Sequence, residues 1–485
     1  MKKLKYLLIG LVAVAVSCEN AYDFDRDFII EADGAITNLD DAERLLVGSY
    51  EVVPSASPIQ FNAYAGDNLK LGNGNRGQGI QEHTWQLDST DGLPGTLWNS
   101  AYNVIDQVNR LIVDIERVAL PSEDDRKNQL LAEAYALRGW MHFELFRAFT
   151  PEYDNPSSPS AIVVDQVIIF DQNNVTYLGR NTAGEMLTQI NADFALAESL
   201  IDPTADNKYR ITLAAIDAFQ ARVGLYENTT ASLTAAVANA TAAINAVPIS
   251  GQAEYDSLFR TDDLTGEAIF SIEKDTNDGA IGTLFTDTNN DIFFEVSDDL
   301  VFGTGGILAS SNADVRFPLL LDFETDITDP AVSGNDFPVG KYVGRSRANQ
   351  ALHDHKILRT SEMFLIRAEA NAKLDGNDTD GDAAADIALI RAARGSAIGT
   401  PAYADLNEAL LDIARERRLE LAYEGHRVYD LKRTNTDIVR DPADCAALST
   451  PCNLAISSGR FTLPIPQTEI DANNAIQESD QNPGY

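Results

Sequence analysis

Cys18 is the first residue whose type and setting imply chemistry. It follows Ala15, Val16 and Ser17, at the end of an apolar run from Tyr6 to Val16 that Lys2, Lys3 and Lys5 precede. A positive start, an apolar stretch and small residues make a secretory signal, too short to cross a ~30 Å bilayer core as a helix. A cysteine directly after them resembles a bacterial lipobox, in which the thiol is lipidated and the cysteine becomes the new N-terminus. Ala15 stands where that motif usually has leucine; the alternative is an ordinary signal peptide with a chance cysteine. Cys445 and Cys452 are the other cysteines. In an exported chain their spacing, with Pro451 between them, allows a small disulfide loop, and two free thiols are the alternative. Glu416, Glu420 and Glu424 fall four residues apart. They look like catalytic carboxylates, yet on a helix this spacing makes a charged ladder that supports the fold or packs on a neighbour. Asp375 to Asp382 resembles a calcium loop. It lacks glycine at position six and glutamate at position twelve of the EF-hand pattern, so a solvated turn is the better reading and calcium only a possibility.

Composition narrows the function. The chain has 485 residues, 44% of them hydrophobic and 23% charged, enough to bury a large core. Acidic residues outnumber basic ones 74 to 37, for a net charge of −37. Nucleic-acid binding rests on Lys and Arg neutralising phosphates, so this balance excludes it. Anionic membrane surfaces are disfavoured for the same reason. Five histidines and three cysteines leave little room for a zinc cluster, and no metal site is expected. After the leader, no stretch approaches a membrane span.

Apolar spacing predicts helices that position these residues. Asp40–Val53 is one; Trp98, Tyr102 and Ile105 mark a second. Ser122 with Asp125 predicts the start of a third, which Pro151 stops. Helical patterns continue over 182–201, Thr212–Tyr226 and Thr230–Val247, then Ile357–Leu374, Asp382–Arg394 and Leu406–Tyr423. Gly376, Gly395 and Gly425 follow the last three at C-cap distance. Trp98, Tyr102, Trp140, Phe143 and Phe146 read as core. The helical hairpins are of tetratricopeptide (TPR) size. Between 250 and 356 the helical pattern fails, and the segment is rich in Gly, Asn, Asp and Thr. The chain therefore divides into a leader at 1–17, an acidic tether at 18–35, a helical scaffold at 36–249, a loop-rich region at 250–356 and a second helical region at 357–485. The fold class is mostly α, with short strands in the insert. Long loops on a rigid scaffold are where binding usually lives.

Particular motifs now become specific. Leu358 to Ala370 (LRTSEMFLIRAEA) resembles a conserved helix of the SusD/RagB family. Glu416 to Arg427 (ERRLELAYEGHR), followed by Asp430 to Arg433, is similar to that family's most recognisable stretch. The tail from Leu463 to Ile470, ending in Gln481–Asn482–Pro483–Gly484–Tyr485, matches its closing motif. Leu97–Trp98–Asn99 and Arg138 to Phe143 also fit, and the acidic residues after Cys18 resemble surface-export signals of Bacteroidetes lipoproteins. The resemblance covers essentially the whole chain. It implies a scaffold of TPR-like hairpins carrying a variable region. It also implies a lipoprotein anchored on the outer face of the outer membrane, which binds oligosaccharide and delivers it to a SusC-like TonB-dependent transporter. Such proteins catalyse nothing and need no cofactor. The alternatives are a RagB-like peptide binder and a secreted helical glycoside hydrolase; the latter requires a carboxylate pair that the residues do not nominate.

A sugar offers flat C–H faces and a rim of hydroxyls, which an aromatic ring and polar side chains together can hold. Two non-helical segments have that composition. Asn62 to Trp85 holds Tyr64, Asp67, Asn68, several glycines and Trp85. Trp85 is the expected stacking platform, with a buried loop anchor as the alternative; for Asp67 and Asn68 the alternative is turn capping. The second segment, 280–347, holds Phe285, Phe293, Phe294, Phe302 and Tyr342 with Arg316, Arg345 and Arg347. Arg345 and Arg347 are expected to contact the ligand, against a reading as surface salt bridges. The net charge disfavours strongly anionic polysaccharides, with a Lys341/Arg345/Arg347 patch as the counterweight.

Overall fold

The first helix, α1 (Leu39–Glu51), starts where Asn38 caps it: the Asn38 side-chain oxygen accepts from the backbone N–H of Asp40 at 2.9 Å and of Asp41 at 3.0 Å. The computed structural model describes residues 36–485 apart from 169–175, 276–277, 288–290, 312, 322–336, 343–351, 377 and 446–450. The leader, Cys18, the tether, Arg345 and Arg347 lie outside the described residues. A short α2 (Ala56–Ala65), strand β1 (Leu69–Leu71) and the one-turn α3 (Ile80–His83) lead into two long helices, α4 (Gly92–Val118) and α5 (Asp124–Phe149). Sequence spacing put a cap at Ser122. Instead residues 121–123 form a 3-10 turn, and Glu123 reaches back to accept from the Leu120 N–H at 3.0 Å. Proline at 121 fixes the tighter turn, so the cap moves to Glu123 and the α-helix begins one residue later.

The scaffold continues through α6 (Ala183–Leu200), α7 (Leu213–Glu227) and α8 (Thr230–Ala246), each packed on its predecessor. A reciprocal Thr182–Glu185 box starts α6. Helices α7 and α8 cross closely at Gly224, where a Cβ would stand 2.7 Å from the Ser232 carbonyl oxygen. Across α5 and α6, Asp193 accepts from Arg138 Nη2 at 2.6 Å in a buried ion pair. The core is aromatic, as the stripes predict. Trp98 packs on Phe149 at 4.9 Å, and Trp140 lies 5.3 Å from Phe219 and 5.5 Å from Phe270.

Beyond α8 come α9 (Gln252–Arg260), β2 (Ala268–Ile272), β3 (Phe294–Val296), α10 (Asp298–Phe302), α11 (Ile307–Ser310), α12 (Phe317–Leu320) and β4 (His355–Arg359). Strand β2 pairs antiparallel with β4, and β3 with β1, so the insert leaves and re-enters the scaffold beside one strand pair. The helical pattern expected from Ile357 yields to this pairing: Leu358 stands opposite Phe270 in the ladder, and the helix begins only at Thr360. The chain ends through α13 (Thr360–Asp375), α14 (Asp382–Arg394), α15 (Leu406–Glu420), α16 (Arg427–Arg433), β5 (Ile438–Val439), β6 (Asn453–Leu454) and α17 (Gln467–Ala472). Helix α13 packs on α8, α14 and α15. Cys445 and Cys452 are bonded to each other beside the β5–β6 pair. In the acidic turn, Asp378 caps α14 by accepting from the N–H groups of Ala383 and Ala384, while Asp375 accepts from Thr379. Among the described residues no helix is long and apolar enough to cross a membrane.

All five histidines are buried. Burial, reinforced by Arg440, Arg138 and Lys274 respectively, pushes His83, His142 and His355 down to about 3. An unfolded imidazole titrates near ~6.5, so below that pH the unfolded chain binds more protons than the folded one. Stability is full above pH ~6.5 and falls as pH drops toward 3. Urea midpoints measured between pH ~7.5 and ~5 should decrease, the buried histidines outweighing Asp217, whose carboxyl burial raises to about 6, and His142→Gln should flatten that slope. Separately, Gly224→Ala should destabilise the fold by about 1–3 kcal/mol in urea titration, because the α7–α8 crossing has no room for a methyl.

Candidate functional site

Glu416, Glu420 and Glu424 point inward from α15 and the turn after it. Glu416 accepts from Arg316 Nη1 at 2.6 Å and Arg391 Nε at 2.8 Å. Glu420 accepts from Arg359 Nη1 at 3.0 Å, Arg394 Nη2 at 3.0 Å and Arg316 Nη1 at 3.4 Å. Glu424 accepts from Arg359 Nε at 2.7 Å and Lys341 Nζ at 2.8 Å. Glu267, just before β2, closes the network through Arg394 at 2.6 Å and through Arg359. Burial alone would raise the Glu420 carboxyl, but Arg394, Arg359 and Arg316 outweigh it and hold it well below the usual carboxylate range. A general acid needs the opposite shift, so this ladder is framework, as its spacing predicted. It fastens Arg316 and Lys341 of the insert to α15. Lys341 is therefore interior and does not join a surface patch with Arg345 and Arg347.

The four expected ligand residues of the first segment are also interior. Asn62 and Tyr64 lie on α2, not in a loop. Tyr64 donates to the Leu284 carbonyl at 2.6 Å and stacks on Phe294 at 4.3 Å. Asp67 accepts from Arg427 Nε and Nη2, both at 2.6 Å, and Arg418 and Arg427 overcome burial to keep it below the usual carboxylate range. Asn68 accepts from Arg418 Nε at 2.8 Å. Trp85 is 8% exposed, donates its indole N–H to Ala65 at 2.9 Å and carries Arg440 over its ring at 4.3 Å. The expected platform at Trp85 is corrected to the buried loop anchor. Asp67 and Asn68 bind the turn between α2 and β1 to α15 and α16, while Tyr64 binds α2 to the insert and Trp85 stacks under Arg440. Their partners Arg418, Arg427 and Arg440 come from the far end of the chain, so local composition carried no sign of this pairing.

In the second segment Phe285, Phe293, Phe294 and Tyr342 form a separate core with Tyr64 and Tyr423, while Arg316 is 1% exposed. Phe302 is the exception. It ends α10 at 56% exposure, with Phe337 edge-on at 5.6 Å. Asp299, one turn earlier on α10, has a side chain 42% exposed and is held by Arg418 Nη1 at 2.5 Å. Asp298 is held by Lys70 at 2.6 Å, and its backbone N–H donates to Asp444 at 3.0 Å. Arg415 donates to the Gly305 carbonyl at 3.2 Å and so ties the following turn to α15. The result is an open aromatic face with a fixed carboxylate rim. Such a face can stack on an apolar ring surface and accept hydrogen bonds from hydroxyls. Helical periodicity could not single out Phe302 among the insert's aromatics; only burial of the others does.

Two family models match the chain. One, described as "SusD family", matches residues 331–485; the other, "Starch-binding associating with outer membrane", matches 33–225. SusD-like protein P38 of Formosa agariphila is 24% identical over 90% of this chain and 92% of its own length. SusD-like protein P2 of the same organism is 21% identical over the whole of both chains. The crystal structure of a SusD superfamily protein from Bacteroides thetaiotaomicron superposes with a TM-score of 0.77 at 24% identity, covering 92% of this chain and 100% of that one. A laminarin-binding SusD-like protein superposes at 0.69 with 20% identity, covering 93% of this chain and 100% of its own.

Removing one partner of the buried network leaves uncompensated charge. Glu420→Gln should lower unfolding free energy by about 3–5 kcal/mol, read by urea denaturation, and should loosen the insert in hydrogen exchange.

Proposed function

The chain belongs to the SusD family, and from that footing we propose that it captures a carbohydrate at the Phe302 face and delivers it to a SusC-like TonB-dependent transporter. The observation that carries the reading is the exposed Phe302 ring beside the Asp298–Asp299 rim, on an insert whose other large aromatics are mostly interior. Stacking supplies the apolar contact, and the carboxylates accept from hydroxyls. Carboxylates held by Arg418 and Lys70 suit neutral sugars better than uronates or sulfated chains, because like charges repel. The starch-binding description of one matching model and the laminarin-binding neighbour support a glucan as the first class to try. Arg345 and Arg347 remain candidate donors to the same ligand on their sequence pattern alone.

In this reading the cargo is held and released unchanged, and the pairing of Glu416, Glu420 and Glu424 with buried cations supports it. Attachment to the outer face of the outer membrane would rest on lipid chains at Cys18, and more than one chain makes such anchoring stable. A palmitate label on the full chain should appear at Cys18 and vanish in Cys18→Ala.

Calorimetry against laminarin and starch oligosaccharides tests the ligand. Binding without new reducing ends is the expected result. Phe302→Ala should weaken it about 3–10-fold with unchanged melting temperature, the equivalent of ~0.5–1.5 kcal/mol of stacking. Undiminished affinity in that variant would move the site elsewhere, and binding of peptides alone would replace the carbohydrate reading.

A further inference from the structure

A second polar feature lies inside the scaffold. The chain around Val53–Ser55, α2, α5, α7, β4 and the turn before α16 line a partly open cavity of about 30 Å³. Arg147, Arg222, Lys356 and His426 line it, opposed by Glu144 and Glu424. Arg147 is 3% exposed. Its Nη2 donates to both oxygens of Glu144, at 2.6 and 2.5 Å, while its Nε and Nη1 have no acceptor. The guanidinium lies between the rings of Phe143 and Tyr429, at 5.3 and 4.7 Å. Buried donors of a charged group are rarely left unmade, because desolvation is not compensated. Two on one arginine at a cavity wall indicate an acceptor that the chain itself does not supply.

A guanidinium donor favours an anionic acceptor, and the neighbouring charges are otherwise matched. Arg147, Arg222, Arg417 and Arg433 are matched by Glu144, Glu362, Asp430 and Glu369. Lys432 is buried nearby, and burial pushes its ammonium well below the usual lysine range. It donates to the Thr150 carbonyl and stands 4.3 Å over the Tyr153 ring, with no carboxylate partner among the described residues. Tyr153 in turn donates to the Arg147 carbonyl. Burial first, then Arg417 and Arg222, pushes His426 well below the usual imidazole range.

We propose that the cavity binds one chloride-sized monovalent anion, which accepts from Arg147 Nε and Nη1. The volume exceeds the ~10–15 Å³ that one water needs, so a halide fits. This site is independent of the carbohydrate reading, because none of its wall residues belongs to the Phe302 face.

Crystals of the full chain grown in sodium bromide test it directly. The expected result is a bromine anomalous peak within hydrogen-bonding reach of Arg147. Ordered water without anomalous signal there overturns the proposal. In solution, chloride and bromide should stabilise the fold beyond fluoride or gluconate at equal ionic strength. For a Kd of ~1 mM, ~100 mM halide shifts the folding equilibrium about 100-fold. Arg147→Lys keeps the charge but loses the fork, and should abolish that halide-specific gain. Equal stabilisation by all four salts overturns the site. If Arg147→Lys does not fold, the anomalous map of the unaltered protein decides alone.

Discussion

Glu420 shares its two oxygens among guanidinium groups from three separate parts of the chain, the insert, the strand that ends it, and the α14 terminus. Each of these charges would lose several kcal/mol on leaving water alone, so none is tolerable in the interior unless all arrive together. That requirement makes the network a fastening with only one assembled state. It adds little net stability over a well-packed apolar core, but it specifies which segment meets which, and it couples the insert to the scaffold.

This fastening explains how a segment with little regular structure can present a fixed face. The insert has its own hydrophobic core, in which Phe285, Phe293, Phe294, Val296 and Leu300 pack against Tyr64, Leu419 and Tyr423. Strand β3 on β1 and the Asp444 contacts to Ser297 and Asp298 set the start of α10. With these positions held, Phe302 stands in solvent because its neighbours have taken the interior places. A ligand meeting such a face finds it already ordered, so little conformational entropy is lost on binding.

Burial of ionic groups runs through the whole molecule. Arg138–Asp193 joins α5 to α6, Arg222–Glu362 joins α7 to α13, and Asp67–Arg427 joins the first quarter of the chain to the last. The strongly negative total charge therefore sits mainly outside, while many of the arginines are inside, paired. At the candidate face the carboxylates of Asp298 and Asp299 are likewise paired, with Lys70 and Arg418.

The sequence by itself determined most of the long helices and the aromatic core stripes, because these rest on neighbours within a few residues. It also showed that the Glu416–Glu420–Glu424 ladder is structural. Only the tertiary structure decided that Trp85, Tyr64, Asp67 and Asn68 face inward and Phe302 outward. Asp67 meets Arg427 across a separation of 360 residues. Whether a polar or aromatic residue in an irregular segment grips a ligand or pins the fold depends on partners that distant, and periodicity does not reach them.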